Sequence, residues 1–462
     1  TLPITVRHIL REYPPETLEP GDVLITNDPW MGTGHLPDIS IARPVFRGDR
    51  LVGYAASVAH APDIGGRIRS ADAREVFEEG LRIPILKLMK AGRPNEDLLK
   101  LIRQNVRVPE QVVGDLMAQI AANDMSARRL LQMMEEHGLE DLEQLATAIH
   151  GRSESAMREA IRRVSDGVYR YGFQTDGFDE PLTIQISLEV AGDRIHVDYA
   201  GSSPQLPWGL NVVPNYAFAY TAFAIKCALC PDVPNNEGGF RPIVVTAPEG
   251  SMFNPRFPAA VGARAVMGHF LPAAVFGALA PVVPDRIQAA SGSPLWCMNV
   301  VGVDDRGQRV AAMFFVNGGQ GASARKDGIS CLSFPSNMAN TPVEVLENTA
   351  PVEIEEKSLR LDSGGAGRHR GGMGQRVAVR IKSTRPASIA FLADRTRFPA
   401  FGLMGGRDGA VGSITLNGAP LDPKRIHVVQ PEDLVVLSTP GGGGFGEPGE
   451  EDPRPTPDGS SS

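Results

Sequence analysis

The chain has 462 residues, of which 42% are hydrophobic, so it can bury a sizeable core and is long enough for more than one domain. Its formal net charge of −8 supplies no general basic field, which excludes nucleic acid and anionic membrane surfaces as bulk partners. Fifty glycines and 38 prolines without a three-residue period exclude collagen and point to a turn-rich, β-rich globular protein.

Taken in chain order, Leu2, Ile4, Val6, Ile9 and Leu10 read as part of an amphipathic helix, with sequence expected upstream of it. Short β-type runs follow at 22–26, 39–42 and 51–58, separated by Gly/Pro turns. From 95 to 164 the apolar period lengthens to three or four residues (Val112, Leu116, Ile120, then Leu142, Leu145, Ile149). Pro109 stands near a start and Gly138 between two segments, so two long helices are expected. Alternation returns in 182–190 and 194–199, a hairpin with one buried face, in which His196 reads as a hydrogen-bonded sheet histidine. Continuous apolar stretches at 216–229 and 268–279 have the length of buried helices, and 351–446 is nearly all strand and turn, with a hairpin signal at Asn417-Gly418.

The expected class is therefore α+β: a β-rich, multi-lobed chain with a central pair of long helices and an all-β C-terminal lobe. Its expected segments are 1–94 (β-rich, carrying the metal and substrate site), 95–168 (helical), 169–350 (mixed), 351–448 (β-rich) and a disordered tail at 449–462. No apolar run reaches the roughly 20 residues of a membrane span. No secretory leader is visible, and four cysteines in so long a chain do not suggest a disulfide framework, so a reducing, cytoplasmic setting is expected.

Two His-x-Pro-Asp units, His35-Leu-Pro-Asp38 and His60-Ala-Pro-Asp63, lie within thirty residues of each other in a chain with nine histidines. Imidazole with carboxylate suits Zn, Mn or Fe, and a cation held there would lower the pKa of a bound water. The alternative is turn architecture, with the aspartates in Asx turns and the histidines in a loop core. Glu79 is either a carboxylate entering the same cleft or part of a solvated turn. Cys227-Ala-Leu-Cys230 reads as buried helical thiols rather than a redox pair. The glycine clusters at 318–321, 364–367, 371–374, 405–406 and 441–444 match no phosphate-binding fingerprint and are expected to be backbone turns in a β lobe.

Together these residues resemble the B subunit of ATP-dependent hydantoinases, a family that includes N-methylhydantoinase and is related to the C-terminal half of 5-oxoprolinase and to acetone carboxylase and caprolactamase subunits. The resemblance rests on Gly21-Asp22-Val23, Asn27-Asp28-Pro29, His35-Leu-Pro-Asp38-Ile39, His60-Ala-Pro-Asp63-Ile-Gly-Gly66, Asn105-Val-Arg-Val-Pro-Glu110, Asp198-Tyr-Ala-Gly-Ser-Ser203, Arg370-Gly-Gly-Met-Gly374 and Thr439-Pro-Gly-Gly-Gly-Gly-Phe-Gly446. It implies a hydrolase subunit that opens a cyclic amide, the ring being phosphorylated at the expense of ATP held by a hydantoinase A-type partner, within a hetero-oligomer. A carboxylase subunit of the acetone carboxylase kind and a non-catalytic scaffold are the rivals. Asp38, His60 and Asp63 are expected as ligands of a divalent metal. Asp28, His35 and Glu79 are expected as catalytic groups, Glu79 doubling as a candidate fourth ligand. Arg264 and His269, where many relatives carry a different segment, are candidate substrate contacts unless they merely begin a packed helix. On this reading Asp63→Asn weakens metal binding and activity without unfolding the chain.

Overall fold

The computed structural model describes residues 2–449; the expected tail lies outside the described residues but for its first position. The early β-type runs form an antiparallel sheet in the order β3-β2-β1-β4-β5, from β1 (Val23–Thr26), β2 (Asp38–Arg47), β3 (Arg50–His60), β4 (Leu86–Lys90) and β5 (Arg93–Pro94). The opening apolar period forms the helix Leu2–Glu12, whose Ile9 packs with Leu24 and Ala42 of this sheet.

Both long helices form where the period places them, Pro109–Glu136 and Glu143–Ile161, with Gly138 in left-handed backbone between them (φ +63°). A shorter helix, Glu96–Asn105, precedes them and is capped by Asn95, whose side chain accepts from Leu98 N. Pro109–Glu136 buries Val112, Leu116, Gln119, Asn123 and Ala127, spaced three and four apart, against β2 and β3. The two amides in that stripe donate to strand carbonyls, Gln119 to Ile39 O and Asn123 to Ile41 O, both at 3.2 Å, so the polar groups under the helix are satisfied.

The hairpin Leu182–Ala191/Arg194–Asp198 forms as expected, flanked by Gly167–Thr175 and, in parallel, Ile243–Thr246. His196 Nε2 pairs with Thr246 Oγ1 at 2.9 Å. The apolar stretches form the helices Pro214–Leu229 and Leu271–Leu279; the second is buried on almost every side, as an all-apolar helix must be. The cysteines are all free.

Strand pairing ignores the expected boundary at 350. Cys297–Val303 and Arg309–Phe315, from the mixed segment, share a sheet with Ala387–Leu392 and Ile426–Val429, from the C-terminal lobe. That sheet shares a second core with Val352–Leu359, Gln375–Ile381, Leu434–Ser438, Ser413–Leu416 and Ala419–Pro420, so the C-terminal unit begins near 297. Asn417 and Gly418, both at positive φ, make the tight turn of its last hairpin.

The glycine clusters are mostly not turns. Of Gly318, Gly319, Gly321, Gly364, Gly365, Gly371, Gly372 and Gly441 to Gly444, none has positive φ. Their chains lie side by side and exchange backbone bonds: Gly442 N donates to Gly372 O, Gly365 N to Gly442 O, Gly319 N to Pro440 O and Gly443 N to Ala290 O. A Cβ would come within 1.7 Å of Gly372 O at Gly319, and within 1.7 Å of Ser363 O at Gly441. Glycine stands there because backbone touches backbone.

Candidate metal centre and cavity

The β2–β3 register sets the site. Asp38 opens β2, His60 closes β3, and the two are direct partners across the ladder. His35 arrives from the loop just before β2, after Gly34, whose φ of +96° and missing side chain let Arg264 pass; a Cβ there would meet the Arg264 stem at 2.7 Å. His35 Nε2 and His60 Nδ1 each lie 2.8 Å from Asp38 Oδ1. One ligand atom from each of the three residues falls within 4.8 Å of the others.

The ring of His35 tests whether a cation fits. Its Nδ1 stands 3.3 Å from Gly262 O, a contact that requires the proton on Nδ1 and leaves Nε2 as a bare lone pair. Nε2 is buried without a hydrogen-bond partner, although Asp38 Oδ1 is close, because the two are not aligned for a bond. A lone pair held against a carboxylate oxygen is repulsive unless a positive centre lies between them. Two imidazoles and one carboxylate fit a three-ligand zinc site or a 2-His-1-carboxylate site for Fe or Mn.

The local field agrees with ligation. Burial, and next the Arg264 guanidinium, hold the His35 imidazole well below its ordinary pKa; burial does the same, less strongly, for His60. Both rings are thus neutral and able to ligate. Burial alone would raise the Asp38 carboxyl, but His35, His60 and Arg264 together hold it well below the usual carboxylate range. Arg264 binds Asp38 Oδ2 at 2.7 Å and also donates from Nε to Thr33 O, fixing the carboxylate by its second oxygen.

His60 faces a cavity of about 640 Å³ that Asp63, Arg69, Glu79, Arg107, Gly262, Asn299 and Met313 help to line, between the first sheet and Cys297–Val303/Arg309–Phe315. Glu79 enters it from a turn anchored at Gly66, where a Cβ would lie 2.4 Å from Gly80 N. Its Oε1 accepts from Val261 N (2.8 Å) and Gly262 N (2.6 Å), while Oε2 is buried without a partner. Burial pushes its pKa up to about 8 against those two donors, so near neutrality the carboxyl keeps its proton.

Not all of the expected site residues converge. Asp63 is turned away: both its oxygens engage Arg107, one through the backbone N–H and one through the guanidinium, which also reaches Gly66 O. It helps to line the cavity but is absent from the three-residue cluster, where His35 stands instead. The Pro in each His-x-Pro-Asp unit therefore does not aim both acids at one point. Asp28 is buried in an ion pair with Arg82 and accepts from Trp30 N, which makes it a support for the loop that carries His35. Arg264 holds Asp38 from behind and is not on the cavity wall. His269 lies deeper, accepting from Tyr216 OH at 2.7 Å, with burial driving its pKa down to about 3. Tyr216 in turn underlies the Arg264 guanidinium, 4.0 Å from its ring centre.

The same fold and chain order recur in known proteins. The family model Hydantoinase B/oxoprolinase matches residues 1–448. The chain belongs to that family. It is 37% identical over 447 residues to an uncharacterised protein of Methanocaldococcus jannaschii, covering 94% of this chain and 77% of the other. It is 30% identical to the putative B subunit of a D-/L-hydantoinase from a Pseudomonas species, covering 95% and 78%. Among solved structures, the ATP-dependent caprolactamase of Pseudomonas jessenii superposes with a TM-score of 0.87 at 28% identity, over 96% of this chain and 80% of that one. The mixed α+β fold is thus shared with a member of this family whose structure is solved. Family relatives named as subunits imply that the chain works with another polypeptide.

Sequence reasoning passed over Arg69, Arg107 and Asn299. The signal for Arg107 was present in Asn105-Val-Arg-Val-Pro-Glu110, a stretch shared with the family but not one that suggests a chemical role. Arg69 lies in an irregular loop with no period to mark it.

Proposed function

We propose that the chain is the B-type subunit of an ATP-dependent cyclic-amide hydrolase, and that ring opening takes place in the His60 cavity on a ring activated by phosphorylation in an A-type partner. The observation that carries this reading is the meeting of His35 Nε2, Asp38 Oδ1 and His60 Nδ1 on the wall of a cavity that also holds a protonated carboxyl.

In this reading His35, Asp38 and His60 hold a divalent cation (Mn, Zn or Fe), which supplies Lewis acidity and a water of lowered pKa. Arg264 keeps the Asp38 carboxylate ionised and oriented. Glu79 keeps its proton on Oε2, because the Val261 and Gly262 N–H groups occupy Oε1, and Oε2 is where a departing ring nitrogen would take it up. Phosphorylation makes a poor electrophile, the amide carbon, into a good one, which explains why a cation-binding subunit would need an ATP-using partner. No glycine cluster of this chain forms a phosphate-cradling turn ahead of a helix among the described residues, in keeping with ATP on the partner.

The test is a panel of cyclic amides given to the chain co-expressed with its partner and ATP, with ADP and opened product read together. Coupled formation of both is the expected result. Product that appears only with bicarbonate would replace this reading with carboxylation, and a complex that turns over equally well with His60→Ala would reduce this chain to a scaffold.

A further inference from the structure

The charges around the cavity do not cancel. Asp38 is matched by Arg264, Asp63 by Arg107, and Glu79 carries its proton near neutrality. Arg69 is left over. Its NH1 lies 3.4 Å from His60 Nε2 and 3.1 Å from the Met313 sulfur, its Nε is buried without a partner, and among the described residues it makes no ion pair with any carboxylate. A neutral ring nitrogen and a thioether are weak acceptors for a guanidinium taken out of water. The backbone that carries it is fixed, since Asn299 Nδ2 donates to Arg69 O at 3.0 Å.

The His60 ring sharpens the point. When Nδ1 of His60 serves as a ligand, Nε2 must carry the ring proton, and Arg69 NH1 and His60 Nε2 then stand as two donors 3.4 Å apart with no acceptor between them. An oxygen bearing negative charge, entering from the cavity, would satisfy both. The planar fork of an arginine is matched to phosphoryl and carboxylate oxygens.

We infer that Arg69, together with His60 Nε2, forms an oxyanion subsite that anchors the negatively charged group of the cavity's ligand beside the His35–Asp38–His60 cluster. This deepens the proposed function and rests on the reading of that cavity as the reaction site. Two sources can supply the oxyanion: the phosphoryl group carried by an activated ring, or a carboxylate belonging to the ring itself.

The experiment is calorimetric titration of the purified, metal-loaded chain with inorganic phosphate and, separately, with acetate. Phosphate is expected to bind, with affinity falling at least tenfold in Arg69→Ala and recovering in part in Arg69→Lys, which keeps the charge but not the fork. Phosphate bound far more tightly than acetate identifies the phosphoryl source; equal affinities identify the carboxylate, and either result supports the subsite. Should Arg69→Ala melt early, Arg69→Met, which keeps the stem, takes its place. Equal phosphate affinity in the wild type and a folded Arg69 variant, or no binding of either anion by the folded wild type, overturns the inference. Metal content measured on the same samples separates the two claims. Metal retained without anion binding sinks the subsite alone, whereas Arg69-dependent anion binding in a chain that takes up no metal sinks the metal reading alone.

Discussion

Glu79 ties pH to stability in a direction opposite to that of most carboxylates. Its pKa is near 8 in the folded chain and near 4.5 in the unfolded one, so between these values the folded state binds more protons. Its contribution is fully present below about pH 4.5 and is lost as pH rises through 8. The melting temperature of the wild type should therefore fall by a few °C relative to that of Glu79→Gln between pH 5 and pH 8. The glutamine keeps an oxygen for Val261 N and Gly262 N but has no proton to lose, and parallel profiles for the two proteins would refute the assignment. The same substitution should lower turnover about 100-fold or more if Oε2 supplies the proton. The two early aspartates should part company as well. Asp38→Asn is expected to strip the metal, as read by elemental analysis. Asp63→Asn is expected to retain it and instead to cost about 1–3 kcal/mol by unpairing Arg107. At this scale the sequence was half legible: the His-x-Pro-Asp repeats marked the right neighbourhood, but a shared motif does not say which way a side chain turns. That is decided by Arg107, some forty residues on, which captures Asp63 and leaves His35 as the third member of the cluster.

At the scale of elements, the hairpin β2–β3 does most of the positioning, since its register puts Asp38 opposite His60 and its far ends can vary without disturbing that pair. The turn 63–66 then directs the chain toward Glu79. Gly66 has φ +61° and no room for a Cβ, which would sit 2.6 Å from Glu78 O as well as against Gly80 N. Gly66→Ala should thus destabilise by about 2–3 kcal/mol and displace Glu79, so that activity falls further than the melting shift explains; a wild-type rate in this variant would show that the turn does not hold the acid. Helices were legible because their period is local, and Pro109 and Gly138 bracket the first long one correctly. Their buried faces were less so. Leu145 and Ile149, part of the apolar period, are exposed, while Ser153, Met157 and Ile161 carry the packing of Glu143–Ile161. Periodicity reveals that a helix forms but not which of its turns a neighbour covers.

For the molecule as a whole, the hardest feature to foresee was the partition of strands among sheets, because pairing between Cys297–Val303 and Ala387–Leu392 is set by contacts some ninety residues apart. A buried charge cluster joins that sheet to the one formed by Gly167–Thr175: Lys424 Nζ meets Asp394 Oδ2 at 2.9 Å, and Asp394 Oδ1 accepts from Thr175. Composition suggested turns for the glycine clusters because turns are the commonest use of glycine, and close approach leaves no separate mark in a single sequence. No helix among the described residues is long and apolar enough to cross a membrane.

The stacked glycine strands carry a consequence for dynamics. Segments such as 364–374 and 441–444 have almost no regular secondary structure and nearly no side chains, a composition that ordinarily signals floppy chain. Their amides are nevertheless locked onto carbonyls of neighbouring segments, as Gly442 is onto Gly372 and Gly444 onto Arg407. Deuterium uptake there should accordingly be as slow as in the central strands, and rapid labelling would show that the interlock opens in solution. A region that looks like linker on paper would then be among the last parts of this protein to let go.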